Sequence, residues 1–397
     1  MRFYEPRSSS GRILGMEGAR GIAVLLVFFV HFNALFANYL DPNSGLRAGL
    51  RFLGFVGNAG VDLFFVISGY LIYSMLIRKP VRYGHFLKRR AERIYPVFLS
   101  VFSLYLVLSL IFPDQSKIHG TLGHQIVYIL ENLFLLPGIL HIVPMISVAW
   151  SLSFEFFFYL LVPILVMLFA LRRIPSVLRL LIFVFLFALI IATSESMHIS
   201  IRFAMFVAGI LTCEVQALAK PTNLSSRLAN WVAVVAYVCS LWFMFHARMA
   251  PVLAGLPLAF GRSSAVFLAF ASGAFCLVGF FGKGFLNHIL SWRPLRWLGN
   301  CSYSYYLIHG LILKGVALIA AEFAPGVKGP FAVAVLLVIG FSATIVGGTF
   351  LFAVVEKPFS MKKQYAVAPP AALDANAVQV YVGHDRNTGL ERAQAAP

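Results

Sequence analysis

The stretch from Glu17 to Phe36 reads EGARGIAVLLVFFVHFNALF, and apart from Glu17, Arg20, His31 and Asn33 every residue in it is apolar or glycine. A helix of about 20 residues rises roughly 30 Å, the thickness of a bilayer's hydrocarbon core. Further blocks of this kind follow at Ala59 to Ile77, Tyr95 to Phe112, Ile146 to Ala170, Val177 to Thr193 and Ser200 to Leu218. Four more are Ala229 to Phe245, Ser263 to Phe281, Tyr303 to Glu322 and Phe331 to Val354. The expected fold is therefore an all-α integral membrane protein, a bundle of about ten transmembrane helices. Composition agrees, because 60% hydrophobic and 12% charged residues lie outside the range of a water-soluble domain. The run Ile126 to Leu136 is too short to cross, and is expected either at the interface or dipping into the bundle.

Lysine and arginine are retained on the cytoplasmic side of a membrane far more often than they are translocated. With ten crossings and the N-terminus inside, 22 of the 32 Lys and Arg residues fall in cytoplasmic segments, six fall outside, and Arg20, Arg179, Arg202 and Lys314 lie within the apolar blocks. The segment Arg78, Lys79, Arg82, Lys88, Arg89, Arg90 and Arg93 outweighs any outer connection. Both termini are thus expected in the cytoplasm. This distribution also accounts for the net charge of +17 without a nucleic-acid partner, since basic residues spread between helices set topology and meet anionic lipid headgroups.

The first 12 residues do not read as a cleaved leader, because the block behind them carries Arg20 and ends in no small-residue cleavage pattern. Cys213, Cys239, Cys276 and Cys301 show no CxxC or Cys/His spacing, so neither a metal site nor a disulfide framework is implied. From Gln364 onward the composition is that of a disordered cytoplasmic tail, which leaves residues 1–363 as one membrane domain.

An ionisable residue inside a spanning helix is costly unless it faces the bundle interior and finds a partner, which makes each one a functional candidate. Arg20, His31, Asp62, Glu155, His309, Lys314 and Glu356 form that group. Arg20 and His31 stand 11 positions apart, about three helical turns, so they share one face within roughly 20° and lie about 16 Å apart along the axis. Either that face serves a site, or Arg20 snorkels and His31 bonds a neighbouring helix. By the expected topology Arg20 is inner and His31 outer, with Asp62, Trp150 and Glu155 also in the outer half. The basic segment and Glu356 fall on the cytoplasmic side, His309 lies deeper than His31, and Lys314 reads as a snorkelling lysine.

Several segments carry a resemblance in chain order. Arg20 and His31 are separated by ten residues; Gly60-Val61-Asp62-Leu63-Phe64-Phe65-Val66-Ile67-Ser68-Gly69-Tyr70 lies in the second block; Arg89-Arg90 leads to Arg93-Ile94-Tyr95-Pro96. Trp150-Ser151-Leu152-Ser153-Phe154-Glu155 follows, then Leu298 to His309 with its Ser302-Tyr303 pair, and finally Glu356-Lys357-Pro358. Together they resemble the acyltransferase 3 family of membrane-bound acyltransferases, which includes bacterial O-antigen and exopolysaccharide O-acetylases. The resemblance runs from about Gly15 to Phe359. One departure is Phe156-Phe157, where many relatives have a more polar pair.

The resemblance implies a bacterial inner-membrane enzyme that takes an acyl group, acetyl most commonly, from cytoplasmic acyl-CoA. The acceptor it implies is a carbohydrate, lipid-linked glycan or glycosylated small molecule at the outer side. No permanently bound cofactor is implied. Donor phosphates need guanidinium groups, and Arg20, Arg89, Arg90 and Arg93 are the inner candidates. His31 is the candidate base for the acceptor hydroxyl, with Glu155 either orienting its imidazole or holding the acceptor. Asp62, Trp150, Ser153, Tyr303, His309 and Glu356 are candidates for substrate contact. The competing reading is a transporter or flippase with a proton-relay site.

Overall fold

The computed structural model of the protein describes residues 13–140, 142–196, 200–218, 224–249 and 257–361. The expectations for residues 1–12 and for the tail from Gln364 lie outside the described residues. Among these residues the regular elements are all helices. They are α1 (Leu14–Phe36), α2 (Gly45–Val56), α3 (Ala59–Arg78), α4 (Tyr83–Ile111), α5 (Leu122–Leu133), α6 (Pro137–Leu140), α7 (Trp150–Leu168) and α8 (Ser176–Thr193). After them come α9 (Phe203–Leu218), α10 (Arg227–Met249), α11 (Pro257–Phe281), α12 (Phe285–Leu290), α13 (Arg293–Asn300), α14 (Ser302–Phe323) and α15 (Pro330–Leu351), the last continuing as a π-helix over Phe352–Met361.

Each of the ten apolar blocks holds a helix, and among the described residues nine helical segments are long and apolar enough to cross a membrane. The exception is α9, whose 16 residues rise about 24 Å, short of a core of about 30 Å. Eleven of those residues are buried, so α9 sits inside the bundle and its neighbours meet the lipid. It packs on α3 through two glycines. A Cβ at Gly69 would stand 2.1 Å from the Phe206 carbonyl oxygen, and one at Gly209 2.1 Å from that of Val66, so any side chain would force the backbones apart. A buried ion pair joins the same region to α8: Glu214 accepts from Arg179 Nε at 2.6 Å and also from the Tyr73 hydroxyl.

α1 lies at the centre, against α2, α3, α11, α12, α13 and α14. Its approach to α13 is the closest, because a Cβ at Gly299 would fall 1.7 Å from the Glu17 carbonyl oxygen. Arg296 locks that contact through an ion pair of 2.9 Å with Glu17.

Most of the basic segment is helical, with only Lys79 and Arg82 in the connection between α3 and α4. α4 begins at Tyr83, twelve residues before the apolar block at Tyr95, and carries Lys88, Arg89, Arg90 and Arg93 on its first turns. Lysine, arginine, leucine and alanine are strong helix formers, so Leu87 to Ala91 extends the spanning helix instead of ending it. The short run at Ile126 is α5, which is not among the helices able to cross; only Asn132 is buried on it, accepting from Met145 N–H at 2.7 Å.

Candidate functional site

Arg20 on α1 donates from Nη2 to the Ser302 hydroxyl at 2.9 Å, and Ser302 is the first residue of α14. The N-terminal halves of the two helices are thereby held together at a cavity of about 90 Å³. α4 brings Arg90 and Arg93 to its wall, α7 brings Glu155 and Tyr159, α3 brings Ser68, and α14 brings Ser302, Tyr303 and Tyr306. Glu155 Oε1 accepts from the Ser68 hydroxyl at 3.1 Å and from the hydroxyl of Tyr159, one helical turn on. The Arg90 guanidinium carbon stands 5.4 Å from the Phe86 ring centre and 5.7 Å from that of Tyr159, a cation–π clamp that leaves its buried Nε without a hydrogen bond. Tyr303 donates to the Ile94 carbonyl at 2.7 Å, tying α14 to the arginine-bearing turn of α4. Three cations, one carboxylate and several hydroxyls thus surround one small space, an arrangement suited to an anionic group.

Further along the same helix pair lie two histidines. The rings of His31 on α1 and His309 on α14 are 4.9 Å apart and nearly perpendicular, at 77°. His309 is fully buried, and its Nδ1 is 2.8 Å from the Tyr306 carbonyl oxygen and 3.2 Å from that of Tyr305. A carbonyl only accepts, so Nδ1 carries the hydrogen and Nε2 keeps a bare lone pair. That Nε2 is buried and has no hydrogen-bond partner. Tyr306 links the pair to α7, its hydroxyl lying 2.8 Å from the Ser151 hydroxyl and donating to the Val148 carbonyl at 3.2 Å.

Residues 13–353 match the family described as an acyltransferase domain, the acyltransferase 3 family. The chain belongs to this family. It is similar to YrhL of Bacillus subtilis, provisionally named a peptidoglycan O-acetyltransferase, with 27% identity covering 75% of this chain and 48% of that protein. The peptidoglycan O-acetyltransferase OatA of Listeria monocytogenes is 23% identical over 76% of this chain and 50% of its own length. The O-acetyltransferase OatA of Staphylococcus aureus is 32% identical over 42% of this chain and 26% of its own. The chain therefore spans about half the length, or less, of the curated relatives it matches. No solved structure matches it.

Within this acyltransferase fold the expected site residues divide. Arg20, Arg90, Arg93, Glu155 and Tyr303 meet at the cavity, whereas Arg89 does not. Arg89 is exposed, because it points about 100° around α4 from Arg90. Glu155 is not the partner of His31: five residues along α7 from Trp150 carry it to the level of Arg20, into the cavity instead of the outer half. His309 in turn lies level with His31, not deeper, since the two rings touch. Ser153 faces away from both clusters; its hydroxyl accepts from Gly138 N–H at 3.1 Å and pins α6 to α7. Glu356 is buried and accepts from Ser304 N–H at 3.1 Å and Ser304 Oγ–H at 2.5 Å. It thus supplies a carboxylate to the first turn of α14, where helix N–H groups need an acceptor.

Asp62 is buried and does not cap its own helix. It pairs with Arg202 at 3.8 Å, and the Arg202 guanidinium stacks over the Trp150 ring at 4.5 Å. Lys314 is exposed on α14. Its charge acts on Lys117 in the α4–α5 connection; burial first, and that charge second, lower the Lys117 ammonium from its ordinary value. Lys117 donates to the Pro144 carbonyl at 2.8 Å, fastening the segment that leads into α7.

The sequence reading missed Ser68, Tyr159, Ser302 and Tyr306 as members of the site. Tyr159 was recoverable from its i+4 spacing to Glu155, and Ser302 from the Ser-Tyr motif that supplied Tyr303. Arg202 and Glu214 lie inside the block Ser200 to Leu218 and carried the same signal as Arg20, an ionisable group in an apolar run.

Proposed function

We propose that the protein is an O-acyltransferase of a bacterial cytoplasmic membrane. In this reading it transfers an acyl group, acetyl by analogy with the relatives' names, from cytoplasmic acyl-CoA to a hydroxyl of a carbohydrate acceptor at the outer side. The observation that carries it is that α1 and α14 together bear a guanidinium-lined cavity and, further along both helices, a histidine pair. The positive-inside distribution puts the Arg20 end at the cytoplasmic face. A reporter fused after Lys363 is then active only in the cytoplasm, and periplasmic activity would reverse the assignment.

Arg20, Arg90 and Arg93 hold donor phosphate or polarise the thioester end of the donor, and Glu155 balances their charge. At about 90 Å³ the cavity is smaller than pockets that enclose a whole ligand, so it receives one part of the donor while the nucleotide remains outside. His31 takes the proton of the acceptor hydroxyl as the oxygen attacks the thioester carbonyl. The carbon–sulfur bond breaks, the coenzyme leaves as its thiolate, and the proton passes from the imidazolium to that sulfur or to solvent. His309 packs edge-on against the His31 ring and holds the base in place; it is a positioning residue.

Purified protein in detergent tests the reaction. Free thiol should appear from acetyl-CoA when a glycan acceptor is supplied, with no sealed compartment required. Absence of acceptor-dependent thiol release from folded protein would overturn the reading and favour a transport function, which needs two compartments.

A further inference from the structure

One face of α14 serves the site along its length. Tyr303 lines the Arg20 cavity, Gly310 follows seven positions later and Lys314 four after that, so the three fall within about 40° of one another around the helix. Gly310 abuts the base, because a Cβ there would stand 3.7 Å from His31 Nδ1. Lys314 is one turn further on, about 6 Å along the axis, on the side of the histidines away from Arg20. From Ser302 to Ala321 it is the only Lys, Arg, Asp or Glu. The helix continues to Phe323, a further rise of roughly 13 Å, which is more than a four-carbon stem spans, so this ammonium does not snorkel to the end of its own helix.

A second ammonium comes to Lys314 from another element. Lys117, in the α4–α5 connection, donates to the Pro144 carbonyl at 2.8 Å and to the Met145 carbonyl at 3.4 Å, which uses two of its three N–H groups. Those carbonyls belong to the segment leading into α7, and the same segment meets the histidine side of α14, where the Val148 carbonyl accepts from Tyr306 at 3.2 Å. Lys117 is close enough to Lys314 to feel its charge. Among the described residues no carboxylate lies within ion-pairing distance of either lysine. Like charges brought together from two elements are a cost to the fold, and a charge inside a spanning helix calls for a partner. The chain supplies none here, so the counter-charge comes from a ligand.

We infer that Lys117 and Lys314 form an anion site beside His31, and that the acceptor is acidic, with a carboxylate or phosphate close to the hydroxyl that is acylated. The inference rests on the acyltransferase reading above and narrows its acceptor from a carbohydrate to an anionic one. One helical turn, about 5.4 Å, is comparable with the width of a sugar ring, which puts the anion on the acylated sugar or on its neighbour. The two ammoniums then fix the acceptor's register against the base, and Gly310 leaves the space beside the imidazole free of a side chain.

Equilibrium binding to the full chain in detergent tests it with three tetrasaccharides that differ in one sugar: a glucuronic acid, the glucose made by reducing its carboxyl group, and that glucose phosphorylated on its primary hydroxyl. At least one acidic tetrasaccharide should bind about tenfold or more tighter than the neutral one, the range for charge-assisted contacts, and the tighter of the two names the anion. Lys314→Gln should erase the preference and Lys314→Arg should keep it, both with unchanged affinity for acetyl-CoA. Equal binding of acidic and neutral tetrasaccharides, or a preference that survives Lys117→Gln and Lys314→Gln together, would overturn the proposal. Displacement of the acidic tetrasaccharides by an equal concentration of phosphatidylglycerol would overturn it too, because the lysines would then serve lipid headgroups. Acetyl transfer read on the same proteins separates the two claims. A lysine-dependent preference in binding without any transfer removes the acyltransferase reading and leaves the anion site standing. Transfer to all three tetrasaccharides at equal rates keeps the acyltransferase and removes the anion site.

Discussion

The two polar clusters on the α1–α14 pair are built differently. At the Arg20 end most polar groups are committed, Arg20 to Ser302, Glu155 to Ser68 and Tyr159, Tyr303 to the backbone of α4 and Glu356 to the first turn of α14, while Arg90 keeps one buried nitrogen, Nε, unpaired. At the His31 end one imidazole is half-buried, and the other is fully buried with a nitrogen that bonds to nothing. A buried polar atom without a partner costs about 1–3 kcal/mol, a penalty that a purely structural histidine would avoid by taking an apolar replacement. Under the proposed function the contrast is one between a receptor for the donor at Arg20 and a base at His31 backed by His309.

Substitutions at the two ends should therefore differ in kind. The largest effect is expected from His31→Ala, which should lower turnover by about 10² to 10⁴-fold while the Michaelis constant for acetyl-CoA stays unchanged. Near-normal turnover in folded protein would move the base elsewhere, His309 being the next candidate. Arg20→Ala should act on the other parameter, raising that constant about 10- to 100-fold, the range for a lost charge-assisted hydrogen bond of about 1.5–3 kcal/mol. Ser302→Ala removes only the partner that orients Arg20 and leaves the guanidinium in the cavity, and a loss of about 1 kcal/mol predicts roughly a fivefold rise. The smallest effect belongs to Arg89→Ala, expected to leave the constant within about twofold of the parent because Arg89 is exposed and outside the cavity, whereas Arg93→Ala should raise it. Equal effects at Arg89 and Arg93 would show that general positive charge, not the cavity, attracts the donor.

The fold was legible because spanning helices are written as long apolar runs, and every run from Glu17 to Val354 contains a helix. Boundaries were less so where polar residues continue a helix beyond the hydrocarbon, as Lys88 to Arg93 do on α4. The pairing of site residues was the hardest part to read. Spacing along one helix put Arg20 and His31 on a common face, but it holds no information about which neighbouring helix meets that face. Glu155 was expected either to orient His31 or to hold the acceptor, and contact between α1 and α14 instead gives His31 a second histidine. Ser153 and Glu356 belong to matching motifs, yet their hydrogen bonds serve helix ends, a use that motif membership does not distinguish from substrate contact.

Equilibrium binding of acetyl-CoA to the purified protein tests the division of labour along α1 and α14 most directly. Calorimetric titration of His31→Ala should return the parent affinity, and titration of Arg20→Ala an affinity weaker by at least about tenfold, corresponding to 1.4 kcal/mol. If His31→Ala lost the donor while Arg20→Ala kept it, the donor would bind at the histidine end and the account would be contradicted.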